Sequence, residues 1–276
     1  MFSIVILTYN EEVNIRQALE SVKFCDDVVV IDSFSTDKTQ VICDEYDNVR
    51  FFQNPFKDLA SQRQFALDKG YPRHDWIFAL DADEWVTPEL RDELLKLSNN
   101  HEEGSPVAYD MAMRIIMFGK WLKHSSEYPV YWRRFFHKQT AIYKQRGHAD
   151  TVDVSGPVGR TQHDIIHEDN KGLTDWLTKH NKYTTQEARY AIDELPEVPY
   201  SNLLSRDRLL RRRAIKRLFR AMPGNSYVRF FYLYIVRLGF LDGAAGFAYC
   251  RLRAHQHFLI RLKQQEMLAA KRETSC

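Results

Sequence analysis

Residues 3–31 read SIVILTYNEEVNIRQALESVKFCDDVVVI. Two short apolar runs, residues 3–7 and 27–31, have the length and composition of buried strands. The apolar positions between them recur with the spacing of one helical face. They are Val13, Ile15, Ala18, Leu19 and Val22. Continuous apolar strands are typical of a parallel sheet with helices on both faces, so this stretch predicts a β-α-β unit.

The same alternation continues to residue 80. A helical stretch through Val41 and Ile42 precedes a third strand pattern at residues 49–52, and a helix over 58–69 precedes a fourth at residues 76–80. Four β-α repeats predict an α/β fold with a doubly wound, mostly parallel sheet. Ligands of such sheets bind at the carboxyl ends of the strands.

The sequence pattern changes twice after the β-α repeats of residues 3–80. Residues 109–153 contain short aromatic-rich strand patterns, such as Tyr131 to Phe136. We expect this region to carry variable loops and to bind a second ligand, the acceptor. Helical signals return after Asp169, and Pro196 and Pro199 mark a boundary. We therefore predict an α/β domain over residues 1–199 and a C-terminal helical extension over residues 200–276.

The charge is divided between these two parts. Residues 200–276 contain 16 Lys and Arg against 4 Asp and Glu, a net charge of +12, which leaves −10 for the remainder of a chain whose total is +2. An acidic body with a basic tail predicts an anionic partner, either membrane lipid or nucleic acid.

Residues 203–222 predict a basic amphipathic helix. The positions of its apolar face are Leu203, Leu210, Ala214, Leu218 and Met222, and those of its basic face are Arg212, Arg213, Lys216 and Arg220. Such helices lie in the headgroup region of anionic membranes, although a solvated helix packed on the body has the same pattern. Neither a signal peptide nor a spanning helix is expected. The predicted location is the cytosolic face of the inner membrane.

Residues 80–84, Leu-Asp-Ala-Asp-Glu, place two carboxylates one residue apart where an apolar strand ends. Alternate side chains of a strand point the same way. Two hard oxygen ligands suit Mg²⁺ or Mn²⁺ on a diphosphate. An acidic triplet is also common in solvated turns and at helix starts, and Thr87-Pro88-Glu89 predicts that a helix begins here.

Two further polar clusters follow the first two strands. Residues 8–11, Thr-Tyr-Asn-Glu, offer a ring and a carboxylate to a nucleobase, and residues 32–37, Asp-Ser-Phe-Ser-Thr-Asp, offer a carboxylate to a base or ribose. Helix capping explains Ser35, Thr36 and Asp37 equally well but not Asp32. Three polar clusters at the ends of the first, second and fourth strand patterns, all facing one crevice, predict a nucleotide site.

Together with Arg63 in its helix, these clusters resemble inverting family-two glycosyltransferases with the GT-A fold. The order and spacing match through residues 3–90. The resemblance implies nucleotide-sugar binding by Thr8, Tyr9, Asn10, Glu11, Asp32, Ser33, Asp37, Arg63, Asp81 and Ala82. It implies that Asp83 of the Asp-x-Asp motif binds the divalent metal, Mg²⁺ or Mn²⁺.

The region from Arg133 through the helix after His167 resembles lipopolysaccharide core β-1,4-glucosyltransferases of the WaaE type. That resemblance implies a UDP-glucose donor and a lipid-linked acceptor in the lipopolysaccharide inner core. A polyprenyl-phosphate or another cell-surface glycan remains an alternative acceptor. Where those enzymes have a His-Glu pair, this chain has His148-Ala149-Asp150.

An inverting transfer needs a carboxylate that takes the proton of the acceptor hydroxyl. The candidates are Asp169, Asp150 and Glu168. We favour Asp169 because an acidic pair before a helix resembles the base motif of the family, and because a helix N-terminus keeps a carboxylate ionised. Capping of that helix is the alternative role of the pair. His167 follows two apolar residues and is a candidate metal or pyrophosphate ligand.

Two other classes of protein fit less well. A nucleotidyltransferase normally has a Gly-rich loop after the first strand, and residues 8–11 contain no glycine. A non-enzymatic protein that binds nucleic acid or membrane would explain the basic tail but not the three polar clusters. We expect a membrane surface, and no nucleic acid, as the partner of the tail.

Overall fold

The computed structural model describes residues 1–99, 104–193, 199–222 and 224–273. Pro196 lies outside the described residues, as do the side chains of Lys216 and Arg220. The chain divides into two compact units. The first comprises Met1–Lys123 and Glu127–Gly172, and the second comprises His124–Ser126 and Leu173–Cys276.

The first unit begins with the predicted alternation of strands and helices. Its elements are β1 (Ser3–Thr8), α1 (Ile15–Ser21), β2 (Val28–Asp32), α2 (Thr39–Cys43), β3 (Val49–Gln53), α3 (Leu59–Asp68), β4 (Trp76–Asp81), β5 (Glu84–Trp85) and α4 (Pro88–Ser98). Helix α4 begins where the Thr87-Pro88 signal predicts, because the Thr87 hydroxyl accepts a hydrogen bond from Leu90 N at 3.3 Å.

Shorter strands complete this unit. They are β6 (Ala108–Met117), β7 (Lys120–Trp121), β8 (Tyr131–His137), β9 (Ala141–Arg146), β10 (Ala149–Val154), β11 (Val158–Arg160) and β12 (Ile165–His167). Strands β9 and β10 form a separate hairpin, and the others join one mixed sheet in the order β3-β2-β1-β4-β8-β6-β12-β5, with β7 and β11 also paired to β6.

Strand alternation distributes the core over both faces of the sheet. Ile4 and Ile6 of β1 pack on one face, against α1 and α4, while Val5 packs on the other face with Ala60 and Ala66 of α3. The sheet is therefore covered on both sides, which explains why its central strands are apolar throughout. The parallel β3-β2-β1-β4 half confirms the predicted doubly wound α/β architecture.

The second unit is helical. Its elements are α5 (Gly172–Asp193), a 3-10 turn (Tyr200–Leu204), α6 (Arg208–Ala221), α7 (Asn225–Phe231), a π-helical turn (Tyr232–Val236), a second 3-10 turn (Gly239–Asp242) and α8 (Gly243–Glu273). The long C-terminal helix α8 confirms the predicted helical extension.

The predicted boundary at residue 200 stays a prediction. The compact second unit also includes α5 from Leu173 onward. The Lys263 ammonium of α8 donates to Asn181 O of α5 at 2.6 Å and to the Thr184 and Thr185 hydroxyls at 2.9 and 2.8 Å.

The predicted helix over residues 203–222 is shorter in the structure. Helix α6 begins at Arg208 because the Asp207 carboxylate accepts from Leu209 N at 2.7 Å and caps it. Of the predicted apolar face, Ala214 is buried and Leu218 is exposed, while Arg212 and Arg213 of the basic face are exposed.

Among the described residues, no single helix is both long and apolar enough to cross a bilayer. Asn225–Val236 and Gly239–Glu273 reach that length and composition only as a pair, bent by 73°.

Candidate functional site

The sheet register brings the predicted polar clusters to one edge. Thr8 pairs with Asp32 across β1 and β2, and Leu7 pairs with Asp81 across β1 and β4. The ends of the first, second and fourth strands therefore lie side by side, as parallel pairing requires.

The loops after β1 and β2 are joined by hydrogen bonds. Asn10 N donates to Ser35 Oγ at 2.8 Å, and Thr36 N donates to Asn10 Oδ1 at 2.8 Å. The Asp37 carboxylate accepts from Glu12 N at 3.0 Å and from the Thr39 hydroxyl at 2.6 Å. These side chains join the two loops into one wall by satisfying backbone donors.

Asp32 is fully buried in this wall. Its carboxylate accepts hydrogen bonds from Thr8 Oγ1 at 3.0 Å, Ser35 N at 2.8 Å and Gln53 Nε2 at 3.2 Å, and also from the Ser35 hydroxyl. Ser33 likewise accepts from Gln62 Nε2 at 2.9 Å. In this structure both residues brace the loop, so their direct contact with a nucleobase stays a prediction.

Two aromatic rings stand exposed beside these loops. Tyr9, predicted to pack on a nucleobase, is exposed as that role requires, and Phe34 between Ser33 and Ser35 is exposed as well. Phe34 has a backbone φ of 61°, which is unusual for a bulky residue. Phe34 was not among the predicted site residues, because a left-handed backbone at a phenylalanine has no signature in the residues around it.

Asp81 lies in a network of ion pairs. It pairs with Arg63 and, at 2.8 Å, with Arg134, while its backbone N donates to Glu84 Oε2 at 2.8 Å. Burial alone would raise the pKa of Asp81, but Arg134 and Arg63 outweigh burial and lower it. Asp81 is therefore held ionised and fixed in orientation.

Arg134 and Glu84 also belong to this network, and neither was among the predicted site residues. They pair with each other at 2.9 Å, and both are buried. Burial raises the pKa of Glu84 to about 7, against the opposing effect of Arg134. Glu84 directly follows the Asp-x-Asp motif, so its place beside the motif could be predicted from the sequence. Arg134 comes close to Asp81 and Glu84 only because β8 pairs with β4.

Asp83 and His167 lie next to each other. Asp83 Oδ1 is 3.4 Å from His167 Nδ1, and Glu84 pairs with His167 across β5 and β12. Asp83 is buried, with 7% of the residue's surface exposed. Among the described residues no group of three or more His, Cys, Asp and Glu side chains is arranged to hold a metal ion. A carboxylate beside an imidazole fits a divalent ion whose remaining ligands come from a diphosphate and water.

The three candidate bases have different surroundings. Asp150 Oδ2 lies 3.0 Å from Nε of the buried Arg63, so Asp150 belongs to the Asp81 network. Glu168 N donates to Asp83 O at 3.0 Å, which fixes the backbone of the segment after β12 beside the predicted metal ligand. His148 is half-buried and directly precedes β10.

Asp169 contacts the loop region after β1. Its Oδ1 accepts from Asn14 Nδ2 at 3.2 Å and from Lys171 N at 3.1 Å. Helix α5 begins at Gly172, so the bond from Lys171 N lies in the turn directly before the helix. The structure thus brings Asp169 to Asn14, a residue that was not among the predicted site residues.

Comparison with known proteins identifies the family. Residues 3–161 match the family model described as glycosyl transferase family 2. The chain belongs to glycosyltransferase family 2. This membership confirms the predicted family and, with the observed sheet, the predicted GT-A fold.

Several relatives resemble this family 2 glycosyltransferase. An uncharacterized glycosyltransferase of Rickettsia bellii is 27% identical over 96% of this chain and 86% of its own length. The lipopolysaccharide core biosynthesis glycosyltransferase LpsC of Rhizobium meliloti is 28% identical over 69% of this chain and 72% of its own length. Among solved structures, S. aureus TarS 1-349 in complex with UDP-GlcNAc covers 97% of this chain and 91% of its own at 12% identity, with a TM-score of 0.47.

Proposed function

We propose that this family 2 glycosyltransferase transfers a hexose, with inversion, from a nucleotide sugar to a glycan hydroxyl, and that Asp169 is the base. One observation carries the proposal. The segment after β12 contacts Asp83 through Glu168 N and Asn14 through Asp169, so it joins the candidate base to the Asp-x-Asp motif. An inverting reaction needs these two groups on opposite sides of one reacting carbon.

The donor contacts follow from the ion-pair network. Asp81, fixed by Arg63 and Arg134, is proposed to face the ribose or the donor sugar, and Asp83 with His167 is proposed to hold Mg²⁺ or Mn²⁺. When bound, such an ion neutralises the charge that develops on the departing diphosphate. Our choice of donor is UDP-glucose.

The acceptor is proposed to be lipid-linked, in the lipopolysaccharide inner core. The similarity to LpsC supports this acceptor class, and a polyprenyl-phosphate or another cell-surface glycan is the alternative. We further propose that the enzyme is peripheral on the cytosolic face of the inner membrane. The net charge of +12 on residues 200–276 supports an anionic surface as its partner.

The test is a panel of UDP-, GDP- and ADP-sugars, with release of nucleoside diphosphate measured with and without Mn²⁺. We expect turnover of one nucleotide class in wild type, and loss of Mn²⁺-dependent turnover in Asp83→Ala, because the variant lacks the carboxylate for the ion. Thermal unfolding of the variant serves as the control for folding. No turnover of any nucleotide sugar by wild type would refute the activity, and a fully active Asp83→Ala with unchanged Mn²⁺ dependence would refute the metal assignment.

A further inference from the structure

Asn14 has an unusual place at the start of α1. It occupies the position before the first helical residue, Ile15, where an Asn side chain ordinarily accepts a hydrogen bond from its own helix. Here the side chain makes no such bond. The residue is nevertheless buried, with 3% of its surface exposed, so its amide must find partners elsewhere.

Those partners lie in two loops. Asn14 Nδ2 donates to Glu11 Oε2 at 2.9 Å and to Asp169 Oδ1 at 3.2 Å, while its Oδ1 accepts from Asn170 N at 2.9 Å. Nδ2 faces two carboxylates and Oδ1 faces a backbone N–H, so the side chain must donate at one end and accept at the other, as an amide does. An aspartate or a leucine of similar size cannot make this set of contacts.

Lys171 makes a second connection between the same loops. Its ammonium donates to Glu11 Oε1 at 2.5 Å and to Tyr9 O at 3.2 Å. Both oxygens of Glu11 are thereby used, one by Asn14 and the other by Lys171. All four side chains belong to the first unit and are at least partly buried, where ion pairs and their hydrogen bonds are less screened than at the surface.

These contacts join the predicted nucleobase loop, Tyr9 to Glu11, to the loop that carries the candidate base. We propose that Asn14 and Lys171 are positioning residues, which fix Asp169 relative to the nucleotide loop so that the donor site and the base form one rigid arrangement. The inference rests on the proposed function for the role of Asp169. It adds two residues that act through Asp169.

The variants are Asn14→Leu, which keeps the volume and removes the amide, and Lys171→Met, which keeps the chain length and removes the charge. Lys171→Met alters a loop side chain, so it keeps the test available if Asn14→Leu does not fold. The matched control is Asn48→Leu. Asn48 also bridges loops through its amide, to Cys25 O at 2.8 Å, but it lies before β3, at the opposite end of the parallel strands.

The first measurement is amide hydrogen exchange, which does not depend on activity. In Asn14→Leu we expect exchange of the Asn170 and Lys171 amides to become faster on the order of 10-fold, since a buried acceptor is lost. Lys171→Met should also accelerate exchange in this loop, and Asn48→Leu should leave it unchanged. Unchanged exchange in both test variants would overturn the inference, whatever the enzyme assays show.

The second measurement separates kcat from KM for the nucleotide sugar that wild type turns over best. We expect Asn14→Leu to lower kcat on the order of 10²-fold, because misplacement of a reacting group by about 1 Å has that effect. Its KM for the donor should stay within about threefold of wild type. In the Asp169→Asn background the same substitution should lower kcat by no more than about twofold, because positioning matters only while the base is present.

An equal loss of kcat in both backgrounds would overturn the positioning role. Failure of the proposed function has a different signature. If Asp169→Asn alone keeps the wild-type kcat, the assignment of the base is wrong, while the exchange experiment still reports whether Asn14 and Lys171 fix the loop.

Discussion

At the scale of single residues, the carboxylates of Asp169 and Asp150 have different contacts. Asp169 accepts from neutral donors, Asn14 Nδ2 and Lys171 N, whereas Asp150 is paired with the guanidinium of Arg63. An asparagine at position 169 still offers an oxygen to both donors, so the loop should keep its place. Asp169→Asn therefore removes the proton acceptor and keeps an oxygen for these two contacts.

We predict that Asp169→Asn lowers kcat on the order of 10²-fold or more and leaves donor affinity nearly unchanged, since loss of a general base acts on the chemical step. Single-turnover assays with a saturating donor, and calorimetric binding of the nucleoside diphosphate, measure the two effects. Asp150→Asn is the comparison, in which we expect lower thermal stability from the broken buried pair. If Asp150→Asn shows the kcat loss and Asp169→Asn does not, Asp150 is the base.

Asp27 is a residue whose ionisation stabilises the fold away from the site. It is fully buried before β2, accepts from Ser3 Oγ at 2.5 Å and Arg73 N at 2.8 Å, and pairs with Arg50 at 2.5 Å. Burial alone would raise the pKa of Asp27, but these hydrogen bonds outweigh burial and the pKa lies below its ordinary value.

A pKa that is lower in the folded state than in the unfolded state gives stability that is present above the unfolded pKa and lost as the pH falls through the folded pKa. We therefore predict that Asp27→Asn lowers the free energy of unfolding by about 1–3 kcal/mol at pH 7, and that this difference shrinks as the pH falls below about 4. Urea unfolding at pH 7 and at lower pH measures it. Asp26→Asn, at the exposed neighbouring residue, is the control. A difference that does not change with pH would contradict this account.

At the scale of elements, the sequence predicted the alternating half well. Strands at residues 3–8, 28–32 and 76–81 follow from uninterrupted apolar runs, because a strand that is covered on both faces buries successive side chains and does not alternate with polar ones. The three polar clusters were predicted to converge because parallel strands place their carboxyl ends at one edge.

The rest of the site depends on contacts between residues far apart in sequence. Arg134 reaches Asp81 only because β8 pairs antiparallel with β4, and Asn14 reaches Asp169 across 155 residues of chain. Local periodicity contains no information about such pairings. For the same reason the contact between Lys263 of α8 and Asn181 of α5 could not be predicted from the local sequence.

Within the second unit, the start of α8 packs closely on the preceding turn. A Cβ on Gly246 would lie 2.3 Å from Gly239 O and 2.6 Å from Asp242 Cβ. Asp242 in turn is buried and accepts from Ser125 N and Oγ, both at 2.7 Å. The absence of a side chain at position 246 therefore permits the approach that places the Asp242 carboxylate.

We predict that Gly246→Ala destabilises this unit by about 1–3 kcal/mol, as overpacking of a close contact does, despite the higher helix propensity of alanine. Thermal unfolding followed by circular dichroism measures the change. Ala244→Ser, at an exposed position of the same helix turn, is the control and should be nearly neutral. Stabilisation by Gly246→Ala would show that the helix end relaxes freely and that the close packing is unimportant.

At the scale of the whole molecule, the basic segment after residue 200 also exposes large apolar side chains. Tyr227 and Phe231 of α7 are 77% and 57% exposed, and Arg212 and Arg213 of α6 are exposed. Aromatic rings favour the membrane interface, and basic side chains are attracted to anionic headgroups. Both features are expected of a segment that binds an anionic bilayer reversibly.

Two variants separate these contributions. The charge variant replaces Arg212, Arg213, Lys216 and Arg220 with Gln, and the aromatic variant replaces Tyr227 and Phe231 with Ser. Each basic side chain near an anionic surface contributes about 1 kcal/mol, and this attraction is screened by salt over about 10 Å at 0.1 M. We predict that the charge variant loses binding to vesicles containing phosphatidylglycerol, and that the aromatic variant binds more weakly at every salt concentration. Both should retain turnover of the donor, because the nucleotide-site residues belong to the first unit.

Flotation across a salt series measures binding, with phosphatidylcholine vesicles and duplex DNA as comparisons. Wild type that never floats with anionic vesicles, or that shifts DNA at salt concentrations where it no longer floats, would refute the membrane proposal, since phosphate contacts alone then account for the basic segment.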